Sequence, residues 1–138
     1  MAHLEYFVYE GFGVRTAKEV HSSQAVRVAG RIEISGQGGW NRLTEAIPSS
    51  IADEVDQAFA NVEHALQQAG GAGFSQVYKL RIYTTERDDG VGFMDILGEV
   101  VRNLKTYCPG HRPIMTGVQV ARLYGDMRVE IEAVADLG

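Results

Sequence analysis

Arg112-Pro-Ile-Met-Thr-Gly-Val-Gln-Val-Ala-Arg-Leu123, followed after a short turn by Met127-Arg-Val-Glu-Ile-Glu-Ala-Val-Ala135, reads as two strands that close a sheet. The second alternates apolar and acidic residues, so Glu130 and Glu132 share one face about 7 Å apart. A pair of carboxylates on one strand face is either a solvated polar stripe or part of a site. The segments upstream supply the rest of the sheet. Leu4 to Tyr9 and Gln24 to Val28 have strand character, and Arg31-Ile-Glu-Ile-Ser35 alternates until Gly36-Gln-Gly-Gly39 stops it. Ser75 to Thr84 is a further strand, with Val77, Lys79, Arg81 and Tyr83 expected on one face and Tyr78, Leu80, Ile82 and Thr84 on the other.

Two stretches have helical spacing. Ile51, Val55, Ala58, Phe59, Val62 and Leu66 recur on one side of a helix that Ser50 caps with Asp53 three residues on, and Gly70-Gly71 ends it. Phe93, Ile96, Leu97, Val100 and Leu104 mark a second helix, closed by Pro109-Gly110. Trp40 to Pro48 is a loop. The predicted order is β-β-β-α-β-α-β-β, an α+β chain with one mixed sheet and both helices on one face. With no repeat, linker or low-complexity run, residues 1–138 form a single domain.

The totals exclude several classes of function. Eighteen acidic against thirteen basic residues leave a formal charge of −5, and no cluster of Lys or Arg tracks a phosphate backbone, so nucleic acid is not an expected partner. No apolar run approaches the ~20 residues that cross a bilayer, and Met1-Ala-His-Leu-Glu-Tyr lacks the pattern of a signal peptide. Neither a membrane partner nor export is expected, and the chain reads as cytoplasmic. One cysteine, Cys108, cannot pair internally, and no Cys/His spacing predicts a metal. His64 falls off the apolar stripe of its helix and is expected to be exposed. Gly36-Gln-Gly-Gly39 lacks the spacing of a dinucleotide-binding turn, and Ser35 lacks the frame of a nucleophile elbow.

Taken in order and spacing, Gly30-Arg-Ile-Glu-Ile-Ser-Gly-Gln37, Asp56-Gln-Ala-Phe-Ala-Asn-Val-Glu63 with Gly70, Lys79 to Thr84, Val118-Gln-Val-Ala-Arg-Leu123 and Val129-Glu-Ile-Glu-Ala133 resemble the Rid family. These are the reactive intermediate deaminases, also called YjgF-like or L-PSP proteins. The resemblance implies a homotrimer of chorismate-mutase-like subunits with a small-molecule cleft between neighbours. It also implies hydrolysis of 2-imino or 2-enamino acids to 2-keto acids and ammonia, with no metal and no cofactor.

Residue by residue, the resemblance places Glu130 as the catalytic carboxylate that orients water. It places Ser35, Gly36 and Gln37 as a turn whose amides hold an oxyanion or carbonyl, and Ser22, Met94, Met115 and Gly117 as further lining. The arginine that grips the substrate carboxylate in deaminating members falls at Met115, whose thioether cannot do so. Arg112 lies three positions upstream, about 10 Å along a strand and on the opposite face, and enters the cleft only if the backbone rearranges. Tyrosine and asparagine positions of the family fall at Ser22 and Met94, which makes the expected cleft more apolar. Three activities stay open: imine hydrolysis with a different substrate anchor, a tautomerase-like reaction on a conjugated or keto substrate, and non-catalytic binding of a small molecule or protein.

Overall fold

A computed structural model describes residues 3–138. Six strands form one sheet: β1 (Glu5–Phe7), β2 (Ala25–Val28), β3 (Arg31–Ile34), β4 (Val77–Thr84), β5 (Ile114–Gln119) and β6 (Val129–Asp136). Their order across the sheet is β1-β2-β3-β6-β4-β5. The last strand in sequence lies inside the sheet, antiparallel to both β3 and β4. Only β4 and β5 run parallel, a pairing that requires a crossover, and helix α3 (Phe93–Tyr107) supplies it.

β6 shows why the sheet has two unlike faces. Val129, Ile131, Ala133 and Ala135 are buried under the helices, whereas Glu130, Glu132 and Val134 point to the other side and are half-buried. Helix α2 (Ile51–Gln68) covers the buried face with the residues its spacing predicted, and the Asp53 amide donates to Ser50 Oγ at 3.0 Å as the cap. Phe59 at its centre stacks on Phe74 and Tyr107, fixing α2, the turn before β4 and the end of α3 against one another.

The structure differs from the expected order in three places. A third helix, α1 (Phe12–Glu19), fills the stretch between β1 and β2, and β1 is shorter than Leu4 to Tyr9 because Tyr9 turns into the core. Ser75 belongs to a single 3-10 turn, Phe74–Gln76, and a bulge between Val77 and Lys79 puts Val77 on the core side and Tyr78 outside. β5 stops at Gln119, well before Leu123. His64 is half-buried with its ring edge-on to Tyr9, and burial lowers its pKa. No helix among the described residues is long and apolar enough to cross a membrane.

Candidate functional site

The site forms where β3 ends and the chain crosses β6. The Ser35 amide donates to the Gln24 carbonyl, and Gln37 exchanges two backbone hydrogen bonds of 2.9 Å with Ile131. Gly36 is thereby held directly over the residue before Ile131, which is Glu130. A Cβ at position 36 would overlap the Glu130 carboxylate, so only glycine lets the two lie together. Of the three turn amides, the Gly36 N–H alone donates to no protein acceptor among the described residues.

Glu130 is half-buried, and burial, with the nearby Glu132 as a smaller cause, raises its pKa above the ordinary glutamate value. Glu132 is engaged differently. The Tyr83 hydroxyl donates to it across the strand pair, and the same bond raises the pKa of Tyr83. One carboxylate of the pair is thus tied to a phenol, and the other faces open space.

Two cavities meet at Glu130 and Gly36. One, of about 240 Å³, is walled by Phe12, Thr16, Val20, Trp40, Tyr124 and Met127, with Ser22, Gln24 and Ser35 at its polar side. The other, of about 270 Å³, is a shallower depression toward Tyr83, Val120, Arg122 and Leu123. Phe12, Trp40, Tyr124 and Met127 also wall a further cleft of about 480 Å³.

Behind the first cavity runs a buried chain of hydrogen bonds. Trp40 Nε1 donates to Tyr9 Oη, Tyr9 Oη to Gln37 Oε1, Gln37 Nε2 to Gln24 Oε1, and Gln24 Nε2 to Thr16 Oγ1. Burial pushes the Tyr9 pKa up to about 12, so the phenol stays a donor. Phe12 stacks on Trp40 with ring centres 3.8 Å apart, which docks α1 as one wall. These wall residues were not among those picked from the sequence, because they come from a helix and two loops that become neighbours only in the fold.

Ser22, Ser35, Gly36 and Glu130 line one cavity. Gln37 does not line the cavity: its side chain is fully buried in the chain of hydrogen bonds, and its amide is bound to Ile131. Met115 and Gly117 pair with Leu80 and Ile82, so they belong to the helix side of the sheet, opposite to Glu130. Met94 starts α3 next to Phe93, whose ring lies 3.8 Å from the Cβ position of Gly117, and is 71% exposed. These three form a second group that cannot meet Glu130 within one chain.

Arg112 is farther away still. It precedes Ile114, the partner of Lys79, whereas Glu130 is level with Tyr83, which separates them by about 20 Å along the strands. Arg112 instead lines a groove at the end of α3 with Lys105, Cys108 and His111. His111 Nε2 is bonded to the Val77 carbonyl at 2.8 Å, and burial raises the pKa of the Cys108 thiol. Among the described residues, no three His, Cys, Asp or Glu side chains cluster as a metal would require.

Comparison with known proteins places this geometry in a family. The model of the family described as Endoribonuclease L-PSP matches residues 14–137. The chain belongs to the L-PSP family. Curated relatives of this L-PSP chain include the 2-iminobutanoate/2-iminopropanoate deaminase of Mus musculus, 36% identical over 117 residues that cover 84% of this chain and 81% of the relative. The protein of the same name from Dermatophagoides farinae is 35% identical over 113 residues, covering 81% and 82%. Among solved L-PSP structures, yeast YEO7 matches with a TM-score of 0.79 at 25% identity over 96% of this chain and 98% of its own. Escherichia coli TdcF with bound serine matches with a TM-score of 0.72 at 27% identity, covering 83% and 87%.

Proposed function

We propose that this chain hydrolyses small 2-imino or 2-enamino acids to the 2-keto acid and ammonia, with Glu130 as the proton-moving group and without a cofactor. The observation that carries this reading is the half-buried Glu130 carboxylate held against Gly36 between two cavities. The names of the mouse and mite relatives, at 36% and 35% identity, support the choice of imines.

The chemistry asks little of the protein, because an imine carbon beside a carboxylate is already electrophilic. Glu130 takes a proton from a water as the water oxygen bonds to the imine carbon. The imine nitrogen takes that proton to complete the carbinolamine; Glu130 then carries the carbinolamine hydroxyl proton to the same nitrogen, the C–N bond breaks, ammonia leaves and the carbonyl forms. A carboxylate whose pKa is raised toward neutrality is the better base for the first step and the better acid for the second. The Gly36 N–H is available to the oxygen that gains charge as the carbonyl forms.

The cleft of this reading lies between subunits. Met94, Met115 and Gly117 cannot line a site with Glu130 in one chain, and a neighbouring copy is the source that brings them there. Apolar residues on the uncovered sheet face, including Tyr6, Ile114 and Val118, favour such association. The substrate carboxylate is held by a group other than position 115.

The test is a coupled assay in which 2-iminopropanoate or 2-iminobutanoate is generated in situ and its loss and the ammonia formed are followed. Faster loss with the protein, abolished in Glu130→Gln, is the expected result. Turnover without ammonia would replace hydrolysis with a tautomerase-like reaction, and unchanged decay would leave the site a binding site only.

A further inference from the structure

Resting on the imine-hydrolase reading, we propose that the substrates are 2-imino acids with bulky apolar side chains. The side chain occupies the chamber walled by Phe12, Val20, Trp40 and Met127, and the carboxylate is held by Arg122 on the other side of Glu130.

The two cavities that meet at Glu130 differ in what they can hold. The apolar chamber has no Lys, Arg or His among the described residues that line it, so a carboxylate placed there would face Glu130 without a counter-charge. Its volume of about 240 Å³ equals that of roughly eight waters at about 30 Å³ each. A methyl group would leave most of that space to water lying against Phe12, Trp40 and Met127. A branched or aromatic side chain displaces that water and buries its own apolar surface.

The depression on the other side holds the complementary group. Among the described residues, Arg122 is the one Lys or Arg that lines either cavity touching Glu130. It is exposed and forms no ion pair among the described residues, which it shares with Arg27, Arg31, Arg42, Arg81 and Arg112, none of which lines a cavity touching Glu130. Its planar fork suits a carboxylate, and the Tyr83 hydroxyl already occupies the nearby Glu132. With the carboxylate on Arg122 and the side chain in the apolar chamber, the imine carbon between them falls at Glu130 and the Gly36 N–H.

Imines generated in situ from alanine, leucine and phenylalanine by an amino-acid oxidase would give the preference directly. The expected result is a kcat/KM at least about tenfold higher for the leucine and phenylalanine imines than for the alanine imine, since each added methylene in a fitting apolar pocket is worth tenfold or more. Val20→Trp, which fills the chamber, should collapse that ratio. Arg122→Gln should raise KM about tenfold or more for every imine, with partial recovery in Arg122→Lys.

A binding measurement separates this proposal from the reaction itself. Trp40 is the single tryptophan and lines the chamber, so its fluorescence reports on occupancy. Here 4-methyl-2-oxopentanoate should bind at least tenfold more tightly than pyruvate, and Arg122→Gln should weaken it. If no imine is consumed but this preference holds, imine hydrolysis fails and the ligand class stands. Equal or tighter binding of pyruvate, no binding of either acid, or an Arg122→Gln variant identical to the parent overturns the proposal.

Discussion

Glu130 and Gly36 depend on each other in a way that separates folding from activity. Gly36 has no left-handed φ, so alanine is conformationally acceptable there, but its Cβ would displace the flexible Glu130 side chain. Gly36→Ala should therefore melt close to the parent and lose about 10²-fold or more in kcat/KM, comparable to removing the carboxylate. Glu130→Gln makes the converse case. The Glu130 pKa is raised by burial, so the folded state favours the protonated form, and this contribution to stability is present at low pH and lost as pH rises through the folded value. At pH 7 the charge is a cost, and the amide removes it. Thermal melts should place Glu130→Gln above the parent at pH 7, with the gap closing below the ordinary glutamate pKa, while imine hydrolysis falls about 10²- to 10⁴-fold. In the parent, hydrolysis should rise with pH along a limb lying above the ordinary glutamate pKa, because Glu130 acts ionised. A limb at or below that value would show that another group sets the rate.

At the scale of elements, β6 is located by a buried ion pair. Glu54 in the first turn of α2 is fully buried; its Oε2 accepts the Arg128 amide at 2.7 Å and its Oε1 accepts Arg128 Nε at 2.8 Å. Arg128 also donates to Asp89 and to the Ser49 carbonyl, so one guanidinium joins α2, two loops and the start of β6, two residues before Glu130. Removing Glu54 strips the buried Arg128 of its fully buried counter-charge and leaves it Asp89 and the Ser49 carbonyl, and Glu54→Ala should cost about 3 kcal/mol in urea unfolding. A loss below about 1 kcal/mol would mean that the pair is not closed in solution. Nothing in the sequence marked this pair, because Glu54 lies among other polar residues of α2 and Arg128 is 74 positions away.

What was legible depended on periodicity. α2 announced itself through six apolar positions and a serine cap, and β6 through its alternation. α1 did not, because it spans eight residues and buries only Phe12, Gly13 and Thr16, too few to mark a stripe. With α1 missed, the chamber beside Glu130 was missed too, since Phe12 and Val20 meet Trp40, Tyr124 and Met127 only through tertiary contact. Gln37 differs for a related reason: the resemblance places its backbone amide in an oxyanion-holding turn, but tertiary pairing gives that amide to the Ile131 carbonyl and the side chain to Tyr9 and Gln24 in the core. The face of Met115 was fixed only by the parallel register with β4, which a single sequence does not reveal.

The whole molecule carries two different halves of one proposed cleft on opposite faces of its sheet. An arrangement in which one surface of a chain meets a different surface of the next is heterologous, and where the rotation between copies closes it forms a ring in which each interface completes one cleft. A twofold dimer would set like surfaces together and complete none. The resemblance to the Rid family implies three copies in that ring, so the solution mass should be three times the 15.1 kDa of the chain, as light scattering after size exclusion would read. Val118 is a direct probe: it is 43% exposed, lies on the uncovered face in register with Tyr83, and is one strand removed from Glu130. Val118→Glu would bury a charge against an apolar neighbour and should shift the mass toward the single chain. The variant should keep the helical circular dichroism of the parent, since Val118 points away from the helices. Hydrolysis should fall with the fraction of trimer and recover as protein concentration restores it. A monomeric Val118→Glu that retains full activity would show that Glu130, Gly36 and Arg122 suffice within one chain.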